Sequence, residues 1–385
     1  PHSPTSPRRT RRVGGRRRML HRRLVIAVAT AAIAVAALLA GRSIGPRERP
    51  AAGGYAEELA DVSASVKWLD AKAEAEPRSA LAQSMAAGAH LERARLTGDY
   101  NDYAAAERMM DRAFAVAPRG AGPVLERAGL SFTLHRFDRI EADLRVAERA
   151  LLFDDPSRAA VVGLRADLAL QRGQDSTAIR GMTEALALHP SPQGWSRLAR
   201  ANWLAGDRAS AAQCYATALS LDHGRRESPR AWIHLQLGLM ALEAEDVEGA
   251  LAEYRKADAD FPGWWLIEEH IAEALMLQGY AEEAEARYRD LIRRTGNPEF
   301  MDALARIERE KGRESETRKW ISRSERIYRD RLKRFPEATW GHALRHYLDL
   351  GDAGIALDLA EKNWKLRPSR EAGALLESAR RRAGS

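Results

Sequence analysis

Residues 195–223 read WSRLARANWLAGDRASAAQCYATALSLDH, and the fold of the chain is decided there. Trp195, Leu198, Ala199 and Asn202 fall at helical spacing and share one helix. Gly206-Asp207 makes a turn, since glycine takes a backbone angle that other residues resist. Ala211, Tyr215 and Ala218 then fall on a second helix. The two alanines let the helices approach closely, and Tyr215 fills the space left beside the following segment.

The same grammar returns along the chain. The next copy carries Leu237, Gly238 and Ala241, then Ala250, Tyr254, Ala257 and Pro262. Ala211 and Ala250 are 39 residues apart, and Ala106 and Ala178 are 72 apart, a unit of about 34 residues with variable inserts. Upstream, a pair from Ser79 to Ala117 turns at Gly98-Asp99 and carries Tyr103, Ala106, Met110, Ala113 and Pro118. A second covers 122–153 and turns near His135-Arg136-Phe137; a third covers 158–190, with Gly173, Ala178, Met182, Ala185 and Pro190. Downstream, Trp264 to Thr295 holds Ala272, Gly279-Tyr280, Ala284 and Tyr288. The copy at 298–336 departs from the pattern, its second helix being long and highly charged, with Pro336 alone well placed. The eighth has Trp340, Tyr347, Gly351-Asp352, Ala356 and Pro368, and a helix over 370–382 would cap the stack. A preliminary helix over 55–76 has Leu59, Val62, Val66 and Leu69 at helical spacing and stops at Pro77. A single pair cannot bury its apolar face, whereas a stack can. The Trp264-Trp265 pair, after Gly263, reads as one core ring and one surface ring.

Charge divides the chain. The net charge is +7, but residues 1–50 hold twelve Arg, no Lys and one Glu, so the tail carries +11 and the remainder −4. The repeats are mildly acidic, which argues against a nucleic-acid partner. The single cysteine, Cys214, excludes an internal disulfide and any multi-cysteine metal site, and its place before Tyr215 reads as a small buried hydrophobe.

Residues 8–23 hold nine Arg, and Leu24–Ala40 follow as seventeen residues without a charge. That length is at the lower edge for a membrane-spanning helix. With nine arginines before it and only Arg42, Arg47 and Arg49 in the linker after it, residues 1–23 are expected to be a basic cytoplasmic tail, 24–40 a transmembrane helix or signal-anchor, 41–54 a Gly/Pro-rich linker, and 55–385 an extracytoplasmic array with its capping helix. A cleaved signal and a secreted array is the competing reading. The tail would also touch anionic lipid headgroups.

On these residues the region 79–368 resembles the tetratricopeptide repeat superfamily, and among its members the bacterial multi-repeat proteins with an amino-terminal membrane helix. The resemblance implies an all-α, right-handed superhelical solenoid of about eight helix pairs. It implies a concave groove, lined by first helices, that holds a protein partner: a helix or peptide of a membrane or envelope complex. Such arrays are scaffolds rather than enzymes. The Lys-Asn set with which chaperone-binding members clamp a carboxylate is not matched after Arg200 and Asn202. Projecting the register places Arg200, Trp203, Trp232, Leu239, Leu242, Glu273 and Met276 on the concave side, a mostly apolar strip with charged edges suited to a helix in a groove. A permanent structural subunit or self-oligomer is the alternative, in which these residues pack on neighbouring helices.

Other signals are weak. His342 and His346 are four residues apart, but no third ligand has suitable spacing, so no metal or cofactor is expected. The acidic groups Glu243/Glu245/Asp246 and Glu282/Glu283/Glu285 read as solvated surface. The chain has no GxSxG, Walker loop or GxGxxG, and no catalytic residues are assigned.

Overall fold

A computed structural model describes residues 54–118, 120–150, 153–222 and 228–384. The basic tail, the apolar segment 24–40 and nearly all of the linker lie outside the described residues. Among the described residues no helix is long and apolar enough to cross a membrane.

The described chain is a succession of helices. A leading helix, α1 (Tyr55–Ala75), precedes eight antiparallel pairs. The pairs are α2 (Ala80–Thr97) with α3 (Tyr100–Val116), α4 (Val124–Thr133) with α5 (Phe137–Ala147), α6 (Asp155–Gln171) with α7 (Asp175–Leu188), and α8 (Pro192–Ala205) with α9 (Arg208–Leu221). They continue as α10 (Ser228–Glu243) with α11 (Val247–Asp260), α12 (Trp265–Gln278) with α13 (Ala281–Thr295), α14 (Pro298–Glu310) with α15 (Glu314–Arg334), and α16 (Pro336–Leu350) with α17 (Ala353–Leu366). A last helix, α18 (Arg370–Ala383), closes the stack.

Each of the first seven pairs turns on a residue in the left-handed region: Gly98, His135, Gly173, Gly206, Glu245, Gly279 and Gly312. His135 and Glu245 thus hold a conformation that glycine supplies elsewhere. At four of the eight turns, aspartate caps the second helix. Asp99, Asp207, Asp246 and Asp352 accept hydrogen bonds from the backbone N–H of Asn101, Ser210, Gly249 and Ile355.

Several second helices bury a narrow stripe in which small residues flank a bulky one. In α9 these are Ala211, Cys214, Tyr215 and Ala218; in α11, Ala250, Tyr254 and Ala257 with Leu251. The approach is close: a Cβ at Gly238 would stand 2.3 Å from the Tyr254 ring. The charged α15 also buries one narrow edge, where Thr317 and Ser324 alternate with Trp320 and Tyr328. Ala211 has no exposed surface. Ala211→Leu is therefore expected to cost about 1–3 kcal/mol by overpacking. A thermal melt matching that of the parent would place Ala211 at a looser junction than described.

The stack also closes on itself. Trp264 and Trp265, at the start of α12, both donate their indole N–H to the Leu96 carbonyl at the end of α2, at 3.2 and 2.7 Å. The Tyr55 N–H reaches the Pro262 carbonyl at 3.2 Å. His135 Nδ1 lies 3.2 Å from the Glu337 carbonyl on α16, and Phe335 and Ala338 join Leu130 and Leu134 in one cluster. A Cβ at Gly173 would stand 3.0 Å from the Pro368 carbonyl. Turns of the first three pairs thus abut the sixth pair, the start of the eighth and the α17–α18 linker. This seam corrects the reading of the tryptophan pair: Trp264 is fully buried and Trp265 is 8% exposed, because the ring expected at the surface meets the other end of the array.

Candidate partner-binding face

The strip expected on the concave side lies on α8, α10 and α12, the first helices of three consecutive pairs. The structure divides it. Leu239 has no exposed surface and packs in one cluster with Ala211 and Tyr215; Leu242 joins the cluster around Tyr254 and Trp264. Trp203 is 7% exposed, with its indole N–H donated to Glu243 and the Arg200 guanidinium 5.1 Å from its ring. These three residues are core, not groove. A first helix is gripped by its own second helix and by both neighbouring pairs. The open arc is therefore narrower than the apolar face suggests.

Arg200, Trp232, Glu273 and Met276 remain half-buried. Trp232 bridges the two clusters, packed against both. Glu243 is exposed beside Arg208, at 3.6 Å. Burial works against the charge on Arg200, with Tyr215, Glu371 and Glu243 favouring it, and the net effect holds its pKa below the usual value. What survives of the strip is an aromatic and thioether surface flanked by one arginine and by carboxylates. It can take an apolar ridge with a basic edge.

Cys214 is buried, with the Asn202 amide 3.8 Å from its sulfur, and burial pushes its thiol up. It is the small core residue expected.

Next to this face, α12, α14 and α16 carry a row of ionisable groups. His342 Nδ1 stands 2.5 Å from Glu299 and His346 Nδ1 stands 2.8 Å from Asp302. The Tyr328 hydroxyl donates to the same Asp302 at 3.1 Å, and Arg306 donates to Asp349 at 2.6 Å. The two histidines at i and i+4 thus turn to different carboxylates and do not converge on one point. Burial opposes the Glu299 carboxylate, but His342, Arg345 and Arg331 outweigh it and hold its pKa at about 2. A depressed carboxyl adds stability above its unfolded value near 4.5, and that contribution is lost as pH falls toward 2. Glu299→Gln should therefore lower stability at pH 7 and matter little near pH 2. Its side chain is 34% exposed, so the neutral-pH loss is expected to be about 1 kcal/mol. Urea melts at both pH values check this, and an equal loss at both would show that packing, not charge, is at work.

The helix-borne set Glu269, His270 and Glu273 was missed from sequence. Its donor atoms all lie within 4.8 Å of one another. Burial lifts Glu269 to about 7, with Glu273 and Glu299 pushing the same way and His270 and Arg306 opposing. Three potential donors within five residues, at i, i+1 and i+4 of a helix, were the available signal.

No family model and no curated protein matches the chain. Among solved structures it is similar to the human IFIT1 dimer with m7Gppp-AAAA, at 16% identity and a TM-score of 0.49 over 80% of this chain and 72% of that one. A monomeric IFIT1 mutant with m7Gppp-AAAA gives 15% identity and 0.48 over 79% and 71%. The APC/C hetero-tetramer Cut9–Hcn1 gives 14% and 0.38 over 85% and 67%. On the packing of its own helix pairs, the described chain is an all-α solenoid of tetratricopeptide-like repeats.

Proposed function

We propose that the protein is a protein-binding scaffold, held at a membrane by residues 24–40, that recruits or stabilises an envelope complex through the face on α8, α10 and α12. The observation that carries this reading is the half-accessible run of Arg200, Trp232, Glu273 and Met276 across three consecutive first helices. Its fitting partner is an amphipathic helix with an apolar ridge and a basic edge, the edge meeting Glu243 and Glu273. The array then lies on the extracytoplasmic side, a placement supported by the nine arginines that precede the apolar run.

The test is site-specific photo-crosslinking of the full chain in its membrane. A photo-reactive residue at Trp232 or Met276 should capture a discrete partner, and one at the exposed Ala216 on α9 should not. Capture from Ala216 alone, or unchanged co-purification by a Trp232→Ala/Met276→Ala variant of normal melting temperature, would overturn the assigned face. A reporter active only outside the cytoplasm, fused after Ser385, should be active; activity from a cytoplasmic reporter instead would reverse the topology.

A second reading, a permanent structural subunit, is favoured by Trp68 and Leu81, which are 61% and 70% exposed on α1 and α2. It predicts that these two residues, rather than Trp232, give the crosslinks.

A further inference from the structure

His270 is 3% exposed, yet neither of its ring nitrogens makes a hydrogen bond. Burying such a ring without a well-formed hydrogen bond is costly. Its Nδ1 stands 3.2 Å from a Glu269 carboxylate oxygen and 3.7 Å from one of Glu273, but neither approach has hydrogen-bond geometry. The ring is fixed by stacking on Tyr254, centroids 5.6 Å apart and planes 26° apart. The Tyr254 hydroxyl is itself buried and unpartnered. A packed imidazole thus stands at ion-pair distance from two carboxylates without a well-formed hydrogen bond to either.

We propose that Glu269, His270 and Glu273 form a binding site for a divalent first-row transition ion, with Zn2+ as its chemical type. Donors bound to a tetrahedral zinc at about 2.0–2.2 Å stand about 3.3–3.6 Å from one another. The two separations from His270 Nδ1 bracket that range, and all three donors lie within 4.8 Å of one another. One turn of helix sets the geometry, since residues i and i+4 share a face and i+1 lies beside them. A nitrogen ligand beside two carboxylates suits Zn2+ and its neighbours, whereas Mg2+ and Ca2+ prefer all-oxygen shells of six or more. The glutamate side chains keep 22% and 18% of their surface exposed, so an ion enters from their side. Three protein ligands leave a fourth position for water. The site borders the partner-binding face and shares Glu273 with it, but it is tested on the chain alone, so either idea can fail without the other.

The experiment is a titration of the full chain, detergent-solubilised and stripped with chelator, using Zn2+ in calorimetry and Co2+ in visible absorption. The expected result is one ion per chain, an intense low-symmetry Co2+ spectrum, and a melting temperature that rises with Zn2+. Glu273→Gln and Glu269→Gln keep side-chain volume and should each weaken Zn2+ binding by at least about tenfold, since even loss of a supporting group around a metal costs about 10–100-fold. Glu283→Gln, in the exposed acidic run of α13, is the control and should change nothing. The proposal is overturned if Zn2+ leaves the melting temperature of the parent chain unchanged. It is equally overturned if Glu283→Gln weakens binding as much as Glu273→Gln, or if the Co2+ spectrum is that of the hexa-aquo ion. His270→Gln checks the nitrogen ligand; where it melts early, the two glutamine variants carry the decision.

Discussion

Trp264→Ala is expected to destabilise the array by about 3–5 kcal/mol, the loss typical of a large buried aromatic. The ring has no exposed surface and packs edge-on against Phe261, centroids 5.6 Å apart. Its N–H also satisfies the Leu96 carbonyl, one of the last-turn carbonyls that α2 leaves without an intrahelical partner. The effect should extend beyond the sixth pair. In an open solenoid each unit touches only its neighbours, but Trp264 and Leu96 are 168 residues apart in sequence. Hydrogen exchange should therefore speed up in α2 as well as in α12. Trp265→Phe keeps an aromatic ring but removes a donor 2.7 Å from the same carbonyl, and the lost hydrogen bond alone should cost about 1 kcal/mol. Faster exchange confined to α11–α13 in Trp264→Ala would mean that the seam contributes nothing to stability.

The repeat was legible in the sequence because its determinants are local. Ala211, Tyr215 and Ala218 lie within one helix, and Gly206 ends the helix before it; none of this needs knowledge of the rest of the chain. The departing copy at 298–336 was also legible as a helix pair, for α15 still buries Trp320 and Tyr328 at helical spacing. The seam was not legible. Leu96, Trp264 and Trp265 meet through the accumulated curvature of the intervening pairs, and no short window of sequence records that curvature. The same closure explains the error at Trp265, whose exposure was judged from its own repeat. The burial of Trp203, Leu239 and Leu242 within the expected strip was not legible for a related reason. Leu239 and Leu242 lie on a first helix with apolar residues most of the way round, so periodicity alone could not choose between the side facing the groove and the sides facing neighbours. Glu269, His270 and Glu273 were readable as a spacing, but spacing cannot show that His270 is sealed against Tyr254 without a hydrogen-bond partner.

Asp167→Ala is expected to cost about 3–5 kcal/mol, chiefly because it strands a buried charge on Arg197. Arg197 of α8 donates to Asp167 of α6 through Nε at 3.2 Å and through a second nitrogen, with side chains only 7% and 10% exposed. Burial raises the Asp167 pKa even with Arg197 beside it, so desolvation exceeds the attraction and the pair is no large net source of stability. Truncating Asp167 nevertheless leaves a guanidinium that cannot shed its proton. The guanidinium has no room to retreat, because it lies against the Gly163 backbone, where a Cβ would stand 2.6 Å from Arg197 Nη1. Three variants test this account. Asp167→Asn keeps an acceptor and should lose less than Asp167→Ala. Gly163→Ala should destabilise by displacing the guanidinium while leaving both charges in place. Asp167→Leu combined with Arg197→Leu removes both charges and should recover most of the loss, since apolar pairs of similar volume often match or exceed a buried ion pair. If the double variant is as unstable as Asp167→Ala, the interaction at this junction is packing or hydrogen bonding specific to the pair, and the stranded-charge argument fails.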